Sequence, residues 1–230
     1  MNLPNYFLAD LPPETTLSPV MITEACQTLK RNRERYLATR STQNLVDVLG
    51  ALAGDWLAPD HPFRKLALEQ GPTATGFSAP TLARGLDSFF QQLTRENFES
   101  LLQQDLGHAL RLEEMVCTDA EQKSNRAAIA NAPEFLVHIA ASNLPVPALS
   151  SVILGLLARS AQLVKCARGS SLLPRLFAHS LYEVEPKLGA CLEIAEWRGG
   201  DSALEKALFD EADCVTATGS DETLAAIRRR

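Results

Sequence analysis

Four apolar runs in the second half of the chain each end on polar or glycine-rich residues, at 142–143, 165–169, 198–200 and 218–220. Asn143 follows the first run, just before Pro145, where asparagine is an ordinary turn former. Lys165 ends the second, and an ammonium beside apolar neighbours must reach either solvent or a ligand. Arg198-Gly199-Gly200-Asp201 follows the third, with two turn glycines and with Asp201 or Ser202 able to cap a helix. Thr218-Gly219-Ser220 closes the fourth and opens a helix. Backbone N–H groups at a helix start, with a glycine allowing close approach, suit an anion such as a diphosphate. Simple capping by Ser220 or Asp221 accounts for the same residues.

The elements that carry these positions change period near Pro133. Up to Gly107 the pattern is helical. A polar helix is expected over 21–40, and Leu45, Val48, Leu49, Leu52 and Trp56 then mark one face after the cap candidates Ser41 and Thr42. Ser78 precedes a helix with Leu82, Leu86, Phe89, Phe90 and Leu93 on one side. Thr94 begins another, with Phe98, Leu101, Leu102 and Leu106 inward and Gly107 as its stop. Residues 108–133 have no clear period and are expected to connect, with one edge strand. After that, strands over 135–140, 162–165, 191–197 and 214–218 alternate with helices over 147–160, 171–184, 202–209 and from 221 onward. The fold class expected is α/β: an open parallel sheet of Rossmann-like right-handed βαβ units over 134–230, preceded by a helical region over 1–107. Ligands of such sheets sit at the carboxyl ends of the strands, which is where the four polar clusters fall.

Composition narrows the classes. A net charge of -6 gives no electrostatic reason to expect nucleic acid. The most apolar stretch, 144–164, contains Pro145, Pro147 and Arg159, so no membrane span is expected. Cys26, Cys117, Cys166, Cys191 and Cys214 are scattered and never spaced as CxxC, which argues against a disulfide framework or a structural zinc site. No secretory signal is legible at the start, and a reducing cytoplasm is the default compartment. The Gly-x-Gly-x-x-Gly fingerprint of ordinary dinucleotide-binding folds is absent.

Taken in order, ASNLPVPAL at 141–149, LVKCARG at 163–169, WRGGD at 197–201 and VTATGSDE at 215–222 resemble the LuxC-type acyl-CoA reductases, relatives of the aldehyde dehydrogenases. Upstream, AGDWL at 53–57, PFRK at 62–65 and TGFSAP at 75–80 are similar to that family's helical N-terminal region. The resemblance implies an aldehyde-dehydrogenase-like coenzyme domain and reduction of a long-chain acyl-CoA to an aldehyde by NADPH, through an acyl-cysteine. It matches Asn143 to the oxyanion-supporting asparagine, Lys165 to the adenosine-ribose lysine, Gly219 and Ser220 to the pair that meets the diphosphate, and Thr218 to the residue beside the nicotinamide. Gly169, Gly199 and Gly200 fall in the turns that border this coenzyme site. Where NAD-preferring relatives commonly carry a glutamate, this chain has Arg168. A cation there suits a 2′-phosphate, and it equally suits solvent.

The family's nucleophilic cysteine lies in a second α/β domain, well after the segment matching 218–220. Only ten residues follow Ser220, and none of the five cysteines sits at the matching place. The chain alone is therefore expected not to reduce acyl-CoA. Apolar surface that would meet such a domain implies a homo-oligomer or a partner subunit. The alternative reading is a non-catalytic module that keeps a nucleotide pocket for binding or assembly.

Overall fold

The computed structural model describes residues 3–141 and 145–229. Its centre is a four-stranded parallel sheet of β1 (Phe135–Ile139), β2 (Ala161–Cys166), β3 (Leu192–Glu196) and β4 (Cys214–Ala217), in the order β3-β2-β1-β4. Val137 lies beside Leu163 on one side and Val215 on the other, and Lys165 lies beside Ala195. β2 is buried along its whole length, and β1 along all but its last residue. Near-continuous apolar strands of this kind need cover on both faces.

Helices α7 (Pro145–Leu157) and α8 (Leu172–Val184) cover one face, and α2 (Thr42–Leu57), α3 (Pro62–Thr75) and α4 (Ala79–Phe90) pack on them. Leu49, Trp56, Phe63, Phe90, Leu149 and Phe177 share one buried cluster with Val164 and Ile194 of the sheet. The expected helical region is thus continuous with the core of the sheet. Its caps are as the sequence indicated: Ser41, Ser78 and Thr94 each accept a backbone N–H from the first turn that follows.

The opposite face is covered by α1 (Pro19–Tyr36) and α10 (Ser202–Glu211). The sequence suggested a polar α1 with few anchors. Three suffice: Ile22, Cys26 and Leu29, at helical spacing, are all buried against Phe135, Val137, Leu163 and Ala195. Residues 107–133 do not form the expected edge strand. They hold only an isolated antiparallel bridge, Val116 to Ala128, and the short α6 (Asp119–Lys123). α5 (Arg95–Leu106) precedes that segment, α9 (Pro186–Gly189) links α8 to β3, and α11 (Asp221–Arg228) follows β4.

One polar network crosses the buried sheet. His138 Nε2 lies 2.8 Å from Gln162 Oε1, His138 Nδ1 lies 2.6 Å from Thr216 Oγ1, and Gln162 Nε2 donates to Val152 O. Burial pushes the His138 pKa down and so favours the neutral ring. A neutral ring bonded this way donates from Nε2 to the glutamine and accepts the threonine hydroxyl at Nδ1. The network ties β1, β2, β4 and α7 together. It also explains Gly155, where an added Cβ would lie 2.2 Å from Gln162 Oε1. Gly155→Ala is expected to lower stability by about 2 kcal/mol through overpacking and loss of the glutamine's bonds. Urea denaturation should show a lower midpoint with an unchanged slope, and an unchanged midpoint would refute the packing argument.

Candidate functional site

From β1 the chain builds outward through β2 to β3, then crosses back beyond β1 to lay down β4. The strand order therefore reverses between β1 and β4, and the carboxyl ends of this pair are where open α/β sheets place their ligand crevice. Thr218 stitches its rim. Its N–H donates to Ile139 O at 3.0 Å, and its Oγ1 accepts from Ala141 N at 3.1 Å. Thr218, Gly219 and Ser220 are all exposed on this rim. Ser220 caps α11 by accepting from Thr223 N, so the capping role is real, and the helix start remains exposed. Asn143 lies outside the described residues.

Roughly 10 Å away, two strand spacings across the sheet, stands Lys165. It is 6% exposed and, among the described residues, its ammonium makes no hydrogen bond or ion pair. Its Nζ lies 5.5 Å from the ring centroid of Trp197, a cation–π contact, and 3.9 Å from where a Cβ on Gly199 would stand. Burial lowers the Lys165 pKa, with the Cys166 and Glu196 side chains opposing that shift. A buried cation at a strand's carboxyl end, with no hydrogen bond or ion pair among the described residues, is suited to a ligand's oxygen atoms.

The turn after β2 exposes Arg168, whose guanidinium has no bonded partner among the described residues. Gly169 follows in the left-handed region at φ 80°, and its N–H donates to Glu196 Oε1 at 2.7 Å. Gly200, at φ 95°, likewise donates its N–H, to Glu205 Oε1 at 2.8 Å. These two glycines therefore shape the turns, and their amides are already engaged within the protein. Asp201 caps α10. Sequence reasoning overlooked Trp197 and Glu196. The signal available was an aromatic and an acid ending the apolar strand adjacent to the one that carries Lys165.

An apolar groove of about 170 Å³ opens at the same end of the sheet, between α4 and the first turns of α7 and α8. Phe77, Leu82, Gly85, Val146 and Leu173 are among its lining. Four larger hollows lie elsewhere: about 510 Å³ at the start of α2, about 410 Å³ between α11 and β4, about 450 Å³ along α11, and about 290 Å³ between α5 and the end of α7. None gathers the strand-end residues.

Of the thiols, Cys26, Cys166 and Cys191 are pushed up to about 12, each chiefly by burial. At neutral pH they are protonated and poor nucleophiles. Cys117 lies in the segment between α5 and β1, and Cys214 begins β4, at the end of the sheet away from the crevice.

The fold, over nearly the whole chain, is similar to that of solved aldehyde dehydrogenases. An acetylating aldehyde dehydrogenase from Geobacillus thermoglucosidasius superposes with a TM-score of 0.68 at 14% identity, over 92% of this chain and 44% of that one. Betaine aldehyde dehydrogenase from Staphylococcus aureus gives 0.65 at 17%, over 92% and 40%. Glyceraldehyde-3-phosphate dehydrogenase from Methanocaldococcus jannaschii, complexed with NADP, gives 0.63 at 13%, over 94% and 44%. The chain thus spans less than half the length of these structures. No curated protein matches it in sequence. The profile of the family described as Acyl-CoA reductase (LuxC) matches residues 37–230, and the chain belongs to that family. No helix among the described residues is long and apolar enough to cross a membrane.

Lys165→Met tests whether the buried charge is kept for a ligand. The variant should be more stable than the wild type at neutral pH and bind nicotinamide dinucleotide about tenfold more weakly or worse. The sign with pH follows from the lowered pKa: the folded state holds fewer protons than the unfolded one, so wild-type stability rises with pH up to the ordinary value of 10.5. The urea midpoints of the two proteins should therefore converge as pH climbs towards 10. A Lys165→Met protein that is less stable at neutral pH would show the lysine to be structural.

Proposed function

We propose that this chain is the coenzyme-binding portion of a fatty acyl-CoA reductase, holding NADPH along the carboxyl ends of its sheet. The observation that carries this reading is the buried ammonium of Lys165, which has no bonded partner among the described residues at the end of the sheet where such folds bind ligands. In this reading Lys165 donates to hydroxyls of the adenosine ribose. Arg168, exposed one turn further on, pairs with a 2′-phosphate as a fork of N–H donors. The helix start at Thr218–Ser220 receives the diphosphate. By its place in the family, Asn143 supplies an amide donor to the thioester oxygen as negative charge develops there. The apolar groove at the same end, lined by Phe77, Gly85 and Leu173, supports an acyl substrate.

When bound, NADPH supplies the hydride. The chain's own residues orient it and polarise the carbonyl, and the remaining requirement is a thiolate that takes the acyl group. Three of the five thiols are raised to about 12, Cys214 begins β4 at the opposite end of the sheet, and Cys117 lies in the segment between α5 and β1. We therefore propose that this chain does not itself form the acyl-cysteine.

Calorimetry should show NADPH bound about tenfold more tightly than NADH, with Arg168→Glu abolishing or reversing the preference. Equal affinities in the wild type would remove the 2′-phosphate argument, and no binding of either would remove the site. Incubation with a long-chain acyl-CoA and NADPH should give no acyl adduct by intact mass and no aldehyde. A stable adduct on any of the five cysteines would show that the nucleophile has been misplaced.

A further inference from the structure

Arg168 has no bonded partner among the described residues, so its position is set by the loop 167–171 that carries it. That loop bonds to itself through Ser170, whose N–H and Oγ both donate to Ala167 O, at 3.0 and 2.7 Å. Its hydrogen bonds to a neighbouring strand, among the described residues, all go to one side chain. Glu196, the last residue of β3, accepts the Gly169 N–H at Oε1 (2.7 Å) and the Ser171 N–H at Oε2 (3.3 Å). Ser171 is the N-cap residue of α8 and makes no capping bond with its own side chain. The carboxylate thus stands in for a cap from another strand, where the helix dipole favours an anion.

Resting on the coenzyme reading above, we propose that Glu196 is a positioning residue that fixes the loop so that Arg168 meets the coenzyme's 2′-phosphate, and thereby sets the preference between the two coenzymes. The physical argument is preorganisation. Gly169 gives the loop a backbone that an untethered chain would leave for many others, and ordering it upon binding would be charged against affinity. With both carboxylate oxygens engaged, that ordering is complete before a ligand arrives. Glu196 has no need to touch the ligand for this: its oxygens accept two backbone N–H groups, and Glu196→Gln, which removes its charge near Lys165 but keeps an acceptor, separates the tether from that electrostatic effect. The effect should therefore fall on the coenzyme whose 2′-phosphate needs Arg168 and spare the one that lacks it. A cap that served stability alone would affect both coenzymes alike.

The test compares wild type, Glu196→Ala and Glu196→Gln by calorimetry with NADPH and NADH, alongside hydrogen exchange of the Gly169 amide in the ligand-free protein. In Glu196→Ala the Gly169 amide should exchange faster, NADPH affinity should fall about tenfold, and NADH affinity should change less than about twofold. Glu196→Gln retains an acceptor oxygen for Gly169 and should recover most of the preference. Equal losses for both coenzymes would reduce Glu196 to a structural cap and overturn the inference, as would a wild-type preference preserved intact in Glu196→Ala. A wild type without preference would instead refute the Arg168 reading itself and take this inference with it.

Discussion

Burial of β1 and β2 on both faces constrains everything else in this fold. Inside such strands each backbone N–H and C=O is paired along the ladder, and the side chains must be apolar or bonded to one another. His138 and Gln162 are the polar exceptions on one face, and they satisfy each other, Thr216 and Val152 O. Free polar groups are thereby pushed to the strand ends, where the chain crosses from β3 back to β4. Lys165 lies on the boundary between these regimes, with its stem among apolar neighbours and its ammonium over Trp197.

The same constraint divides the sheet into unequal parts. β1, β2 and β3 are closed in by α1, α7, α8 and α10, and they hold the lysine, the Arg168 loop and Glu196 against a rigid background. β4 has no fully buried residue, α11 has none either, and an apolar hollow lies between them. In the proposed coenzyme reading, the adenosine end of the candidate site rests on the dry part of the protein and the diphosphate end on the open part. Positional precision is expected to be highest around the ribose, where the coenzymes differ.

The alternation of apolar runs and helical periods after Pro133 made the parallel sheet legible in the sequence, and the caps at Ser41, Ser78 and Thr94 were legible from their residue types. The cover supplied by α1 was not. Its three anchors are diluted by a charged surface that belongs to the exposed side of the same helix. The segment 108–133 was misread as strand-bearing because a lone bridge and one short helix leave no periodic trace. At the candidate site, Lys165, Gly169, Gly200 and Thr218–Ser220 all follow or end strands at the carboxyl side of the sheet, as their place after apolar runs suggested. Which amides were already engaged could not be read, because Glu196 and Glu205 reach them only after β3 and α10 are in place. Spacing along a chain carries no information about such contacts, which join residues of different elements through the fold.

The pairing of Lys165 with Trp197 also gives the protein an internal optical reporter. Indole emission depends on the electric field across the ring, and a cation about 5.5 Å from its centroid contributes to that field. The second tryptophan, Trp56, is fully buried, stacks on Phe90 and donates its Nε1–H to Ser180, away from the strand ends. Changes in the emission colour of the unlabelled protein therefore belong to Trp197, and they register whatever draws the lysine's charge off the ring.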